Sequence, residues 1–196
     1  GLLLGVAVFL SYGLVLFGLV VVTVVILTAR RGGFRSVAMP WLVATAGFVA
    51  VAAVHLALGF NWVSGLLALR VRYYQGIASE RPFSYFVFAN LAAWLISCSP
   101  LLAIGMVRSI AALRRAGHRP WTQDRIVALL ALSGVLAALV ANFSALSKGE
   151  TERIWLSFGV IAYAGLALLR DRRAAMALAG SGTWALLVNH LLNTGW

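Results

Sequence analysis

From Leu2 to Thr28 the chain carries no Asp, Glu, Lys or Arg. Apolar runs of about 18 or more residues recur along its length, each enough to cross a hydrocarbon layer of roughly 30 Å. Within such a layer every backbone polar group must be satisfied internally, which leaves helices and closed barrels as the only spanning structures. The polar and apolar alternation of a barrel strand is missing. The sequence therefore predicts an all-α fold: a polytopic integral membrane helix bundle of about six transmembrane helices plus an amphipathic outer-face helix. Its hydrophobic content of 62% and mean hydropathy of +0.95 lie well above the roughly 45–50% apolar content of soluble chains.

The six expected spans cover residues 2–28, 41–60, 83–107, 126–146, 154–169 and 174–192. The first is long enough to need tilt. The fifth is short unless it draws in the charged stretch before it. Pro40 suits a helix start, and Pro100 is expected to kink the third span.

A formal net charge of +11 invites a nucleic-acid reading, but most of the arginines fall in short loops between spans, a signature of membrane topology. Arg30, Arg31 and Arg35 follow the first span. Arg108, Arg114, Arg115, Arg119 and Arg125 follow the third, and Arg170, Arg172 and Arg173 the fifth. The other side holds Arg70, Arg72, Arg81, Lys148 and Arg153, together with Glu80, Glu150 and Glu152. The positive-inside rule assigns the first group to the cytoplasm and both ends of this chain to the extracytoplasmic side of a cell membrane. The expected partner is the lipid bilayer, with no nucleic acid. Cys98, the single cysteine, reads as a small packing residue. Without an internal repeat or low-complexity linker, residues 1–196 read as a single transmembrane domain. A start at Gly1 rather than Met marks them as the expected part of a longer chain, with a missing N-terminal portion or partner subunit.

Polar side chains gather in the outer halves of five spans: Ser11 and Tyr12, His55, Asn90, Asn142 and Ser144, Asn189 and His190. Unpaired polar groups there are costly. Private interhelical hydrogen bonds, about 0.6 kcal/mol each on average, satisfy any one of them. Taken as a group they point to a shared cavity opening outward. Ser97, Cys98 and Ser99 and the run Gly180-Ser181-Gly182 lie deeper and suit close helix packing. His118 belongs to the basic loop and reads as solvated.

Two outer segments carry the remaining signal. Over residues 61–82, a helix at about 100° per residue aligns Val63, Leu66, Leu67, Tyr74 and Ile77 on one stripe, opposite Ser64, Arg72 and Gln75. That is an amphipathic helix suited to a membrane surface. Arg70 projects from the apolar stripe, where it either snorkels to headgroups or binds an anionic group through its guanidinium fork. Tyr73 and Tyr74 are interfacial anchors or a packing platform for a sugar or isoprenoid. Glu80 pairs with Arg81 or contacts substrate.

The second segment, residues 147–156, concentrates charge between two apolar runs. Ser147 and Glu150 fit a capping box before the fifth span. Two carboxylates in a first turn suit the helix dipole, and Trp155 sits where an interfacial aromatic belongs. Glu150 and Arg153 share a face as an i,i+3 pair. Lys148 and Arg153 beside Glu150 and Glu152 also suit a lipid phosphate, with one carboxylate left to orient a hydroxyl.

The run Gly149-Glu150-Thr151-Glu152-Arg153-Ile154-Trp155-Leu156 resembles a segment of bacterial, notably actinobacterial, membrane proteins that look like GT-C glycosyltransferases. Ser11-Tyr12-Gly13-Leu14, and Arg81-Pro82 followed by Asn90-Leu91-Ala92, are similar to the same group. The resemblance implies transfer of sugar from a polyprenyl-phosphate donor on the extracytoplasmic face. It also leads one to expect Pro near position 157, where this chain has Ser157, and a catalytic Asp in an outer loop. Asp124 and Asp171 both fall on the cytoplasmic side, so the resemblance implies the C-terminal, lipid-facing portion of such an enzyme.

The expected function is thus a membrane-embedded glycosyltransferase-like protein handling a polyprenyl-phosphate-linked sugar. Glu150 and Glu80 are the candidate catalytic carboxylates. Arg70, Tyr74, Lys148, Glu152, Arg153, Asn90, Asn142, His55 and His190 are the candidate substrate contacts. The alternatives are a transporter or flippase for a lipid-linked or amphipathic substrate, and a non-catalytic membrane subunit. Zinc-ligand spacing, phosphate loop, nucleophile elbow and dinucleotide fingerprint are all missing from the sequence, so no metal and no cofactor is expected.

Overall fold

The computed structural model describes residues 1–116, 121–149 and 151–191, with the side chains of Glu152 and Arg153 outside that description. Every element among the described residues is helical. They fall into two compact units, Gly1–Pro82 and Phe83–Trp196.

In the first unit the apolar stretch expected as one helix is interrupted. Helix α1 (Leu2–Leu10) stops at Ser11, whose backbone is extended, and a 3-10 turn (Tyr12–Leu16) leads into α2 (Phe17–Gly32). Gly13, two residues after Ser11, weakens a helix, and the extended Ser11 leaves the carbonyl of Val8 without its usual donor. The indole of Trp62 supplies one at 3.0 Å. Gly33, at φ +77°, makes the corner into α3 (Phe34–Ala57), so Pro40 lies inside that helix instead of starting it. The correction has a physical reason. The left-handed corner needs a glycine, while a proline within a helix costs one backbone bond that a long helix tolerates. Gly5 of α1 would place a Cβ 2.9 Å from Val51, so these helices meet through a glycine.

The second unit opens with α5 (Phe83–Cys98) and α6 (Leu102–Ala116), which meet at 101° across Ser99-Pro100-Leu101. The expected kink at Pro100 is a near right-angle break. Ser99 sits at φ +90° and its hydroxyl accepts the Leu101 amide at 3.2 Å. Proline cannot supply the N–H that the Ile96 carbonyl expects. The indole of Trp184 donates to that carbonyl at 2.6 Å.

Helix α7 (Gln123–Phe143) is the centre of this unit: Ala128, Ala131, Gly134, Ala137, Ala138 and Ala141 are all buried along it. A Cβ on Gly134 would lie 2.6 Å from the Phe158 carbonyl and 3.0 Å from the Ala162 amide. Small residues thus bring backbone against backbone. The same holds where Gly165 faces Gly105 and Ser109.

The fifth apolar segment is divided into α8 (Thr151–Ile154), α9 (Leu156–Ala162) and a 3-10 helix (Tyr163–Leu169). The longer rise of 3-10 geometry gives these residues a contour of about 32 Å, close to a bilayer core despite their small number. A last helix, α10 (Asp171–Leu191), follows a turn in which Arg170 and Asp171 both have positive φ, 59° and 51°. Gly180 of α10 approaches Leu101, Ser181 is buried, and Gly182 faces open space.

Three helical stretches, Tyr12–Gly32, Phe34–Ala57 and Gln123–Phe143, are long and apolar enough to cross a membrane, or four with the bent pair α5–α6. The two in the first unit bury only 11% and 6% of their apolar windows, against 50% for α7. Apolar helices so exposed suit a lipid surrounding.

Candidate functional site

Between α7 and α8 the chain makes a polar loop, and side chains from two helices hold it. Asn90 on α5 is 3% exposed and Asn142, near the C-terminus of α7, 1%. Asn90 Nδ2 donates to the Ser147 carbonyl at 2.6 Å and to Asn142 Oδ1 at 3.3 Å. Its Oδ1 accepts the Gly149 amide at 3.0 Å, and its backbone carbonyl accepts the Thr151 hydroxyl at 3.1 Å. Asn142 Nδ2 completes the set by donating to the Val87 carbonyl at 2.9 Å. One turn further along α5, the Trp94 indole donates to the Trp155 carbonyl at 3.0 Å. Val87, Asn90 and Trp94 are spaced three and four apart, so a single face of α5 engages the loop and the two short helices after it.

The loop's backbone is shaped to meet those groups. Gly149 has φ +94° and Ala145 +57°, and the left-handed turn at Gly149 directs its amide at Asn90. Thr151 is fully buried and Lys148 8% exposed. The capping box expected at Ser147 is not formed. Among the described residues the helix begins at Thr151, and the buried Ser147 hydroxyl has no hydrogen-bond partner. Asn90, on a different helix and 57 residues away in sequence, anchors the loop, so tertiary contact takes the place of a local cap. Glu150 and the side chains of Glu152 and Arg153 lie outside the described residues, as do His118 and Arg119.

The other candidates are distributed as follows. In the first unit, His55 Nδ1 lies 2.8 Å from the Val51 carbonyl, and its ring stacks on Phe9 at 4.0 Å between centroids. The expected amphipathic helix is α4 (Trp62–Gln75), begun by Asn61, whose side chain accepts the amides of Val63 and Ser64. Trp62 packs against Tyr12, and Gly65 lies beside the Tyr12 hydroxyl. The predicted apolar stripe faces elsewhere: Val63 and Leu67 are exposed, Arg70 is exposed about one turn beyond Leu67, and Leu66 and Tyr74 are half-buried. Tyr73 and Tyr74 meet edge to face at 5.4 Å. Glu80 is exposed after the short 3-10 helix Ile77–Ser79. In the second unit, His190 is exposed near the end of α10.

Asn90 and Asn142 are therefore brought together, but to bond each other and the loop, not to line an open cavity. A cavity of about 670 Å³ lies at the other end of α7, among Arg108, Arg115, Asp124, Arg170 and Arg173. In the sequence, topology alone accounts for these arginines. The local signal for their gathering is the spacing of Arg108, Ala112 and Arg115, which puts two guanidiniums on one helical face with a small residue between them. Comparison with family models, curated proteins and solved structures gave no match to this chain.

Proposed function

We propose that this chain is a multi-pass helical membrane protein of glycosyltransferase type, acting on a polyprenyl-phosphate-linked sugar at the extracytoplasmic face, with the loop around Glu150 as its working element. The observation that supports this reading is the anchoring of the loop on both sides of that residue. Gly149 is bonded through its amide and Thr151 through its hydroxyl, both to Asn90. A helix start needs only a cap. Hydrogen bonds to Asn90 from the residue before and the residue after Glu150 support a role for that carboxylate in general-base chemistry, which needs a positioned base.

In this reading Glu150 takes the proton of an acceptor hydroxyl as its oxygen attacks the anomeric carbon. The bond from that carbon to the phosphate oxygen breaks, and polyprenyl phosphate leaves. Lys148 and Arg153 hold the phosphate charge, and Glu152 contacts sugar hydroxyls. Arg70, on the exposed stripe of α4, meets lipid phosphate at the surface with Tyr74 as its packing neighbour. The reading includes about six spans, with α10 and the α8–α9 segment as the last two.

The test is transfer and binding by the purified protein in lipid nanodiscs, supplied with a polyprenyl-phosphate sugar. Glu150→Gln is expected to lower transfer by about 100-fold or more while binding persists. Arg153→Ala is expected to weaken binding. Full transfer by the Glu150→Gln protein sinks the proposal.

A second reading, a transporter of an amphipathic substrate, draws on the interruptions at Ser11 and at Ser99-Pro100, since broken helices are common in transporter cores. Substrate flux into proteoliposomes without sugar transfer would favour it.

A further inference from the structure

The cavity at the cytoplasm-assigned end of the second unit has a lining that capping and topology do not explain. We infer that it is a binding site for a phosphoryl anion, and that its occupant is the headgroup of an acidic phospholipid. Four guanidinium groups border it, Arg108 and Arg115 from α6 and Arg170 and Arg173 from the turn into α10, and Asp124 is the one carboxylate among the lining residues. Arg170 donates to Asp124 at 2.8 Å, which neutralises one charge and leaves an excess of positive charge around a common space. Clustered like charges repel one another, and an anion in the middle converts that repulsion into attraction. Guanidinium forks match phosphate oxygens in pairs.

Three further features fit this occupant. The volume of about 670 Å³ lies within the range of roughly 300–1,000 Å³ typical of small-molecule sites. Ala112 separates Arg108 from Arg115 on one face of α6, so the floor between the two charges stays open. Leu168 and Leu169 provide an apolar wall beside the basic rim, which suits a molecule with a charged head and a greasy body better than a free ion. Arg170 and Asp171, both at positive φ, hold the turn that carries Arg170 and Arg173 in a conformation that side-chain-bearing residues avoid, a form of strain that recurs at ligand sites. Basic pockets between helices on the cytoplasmic side are a general solution for acidic headgroups. This site is separate from the loop around Glu150: Asp124 and Asn142 are eighteen residues apart on α7, about 27 Å at helical rise.

The experiment compares thermal midpoints and lipid binding for the purified protein in detergent, titrated with phosphatidylglycerol, with phosphatidylcholine, or with inorganic phosphate. Phosphatidylglycerol is expected to bind and raise the midpoint, phosphatidylcholine to do neither, and phosphate to compete only weakly. The double variant Arg108→Gln/Arg173→Gln, which leaves the Arg170–Asp124 pair intact, is expected to lose affinity by about 25-fold at low salt, roughly fivefold per arginine. Its helical circular dichroism and lipid-free midpoint are expected to match the parent. Equal binding of phosphatidylcholine, or unchanged affinity in the double variant, overturns the site. Stabilisation by inorganic phosphate equal to that by lipid overturns the lipid as its occupant.

Discussion

Asn90 and Ser147 show how far a single residue's role can be read from its neighbours in sequence. Ser147 has the right spacing from Glu150 for a cap, yet its hydroxyl is buried without a partner. Asn90 lies in an apolar run with no local role to suggest, and it makes four hydrogen bonds, three that close the loop at Ser147, Gly149 and Thr151 and one to Asn142. Ser147→Ala is therefore expected to leave stability within about 0.5 kcal/mol of the parent or to raise it, where loss of a true N-cap would cost about 1 kcal/mol. Asn90→Ala leaves the Gly149 amide and the Asn142 side chain short of partners and is expected to cost about 2–4 kcal/mol. Denaturation of both variants in the same detergent checks the pair. A cost at Ser147 equal to that of a cap would restore the capping box.

At the scale of elements, indole N–H groups attend the helix interruptions. Trp62 serves the carbonyl freed at Ser11, Trp184 the one to which Pro100 offers no N–H, and Trp94 the carbonyl of Trp155 between α8 and α9. The Ile96 carbonyl also receives the Ser99 amide, and the Trp155 carbonyl those of Phe158 and Gly159, so these indoles add a second tie at the breaks, in a medium where water offers none. The sequence reading took Trp155 as an interfacial anchor, whereas its side chain is 1% exposed. Trp94→Phe and Trp184→Phe each remove a donor while keeping an aromatic ring. Both acceptors also receive backbone amides, so burial sets the difference: the expected cost is about 1 kcal/mol at the half-buried Trp184 and about 2 kcal/mol at the buried Trp94. Unfolding of the two variants side by side measures the difference. Gly134→Ala pushes a methyl group into the α9 backbone and is expected to cost about 1–3 kcal/mol. A neutral result would mean that α7 and α9 are less closely packed than the structure has them.

At the scale of the whole molecule, α7 is a useful marker of orientation because the loop held by Asn90 follows one end and the basic cavity lies at the other. Gln123 and Ser144 are both exposed, and the only native cysteine, Cys98, is buried. A membrane-impermeant thiol reagent is expected to label Ser144→Cys in intact cells and Gln123→Cys only after permeabilisation. Labelling of both from the same side would overturn the topology on which the assignment of the loop and of the basic cavity to opposite faces depends.

Length and hydropathy of the apolar runs were enough to specify a helical, membrane-suited chain. Those properties are local sums over consecutive residues and need no knowledge of packing. The helix at 62–75 was legible for the same reason. The kink at Pro100 was legible too, but the break at Ser11, the tryptophan donors beside the breaks, the pairing of Asn90 with Asn142 and the gathering of Arg108, Arg115, Arg170 and Arg173 around one cavity were not. Each depends on residues tens of positions apart meeting at a particular rotation of two helices. Hydrophobicity determined which segments leave water, and only the tertiary structure decided which polar groups meet after they do.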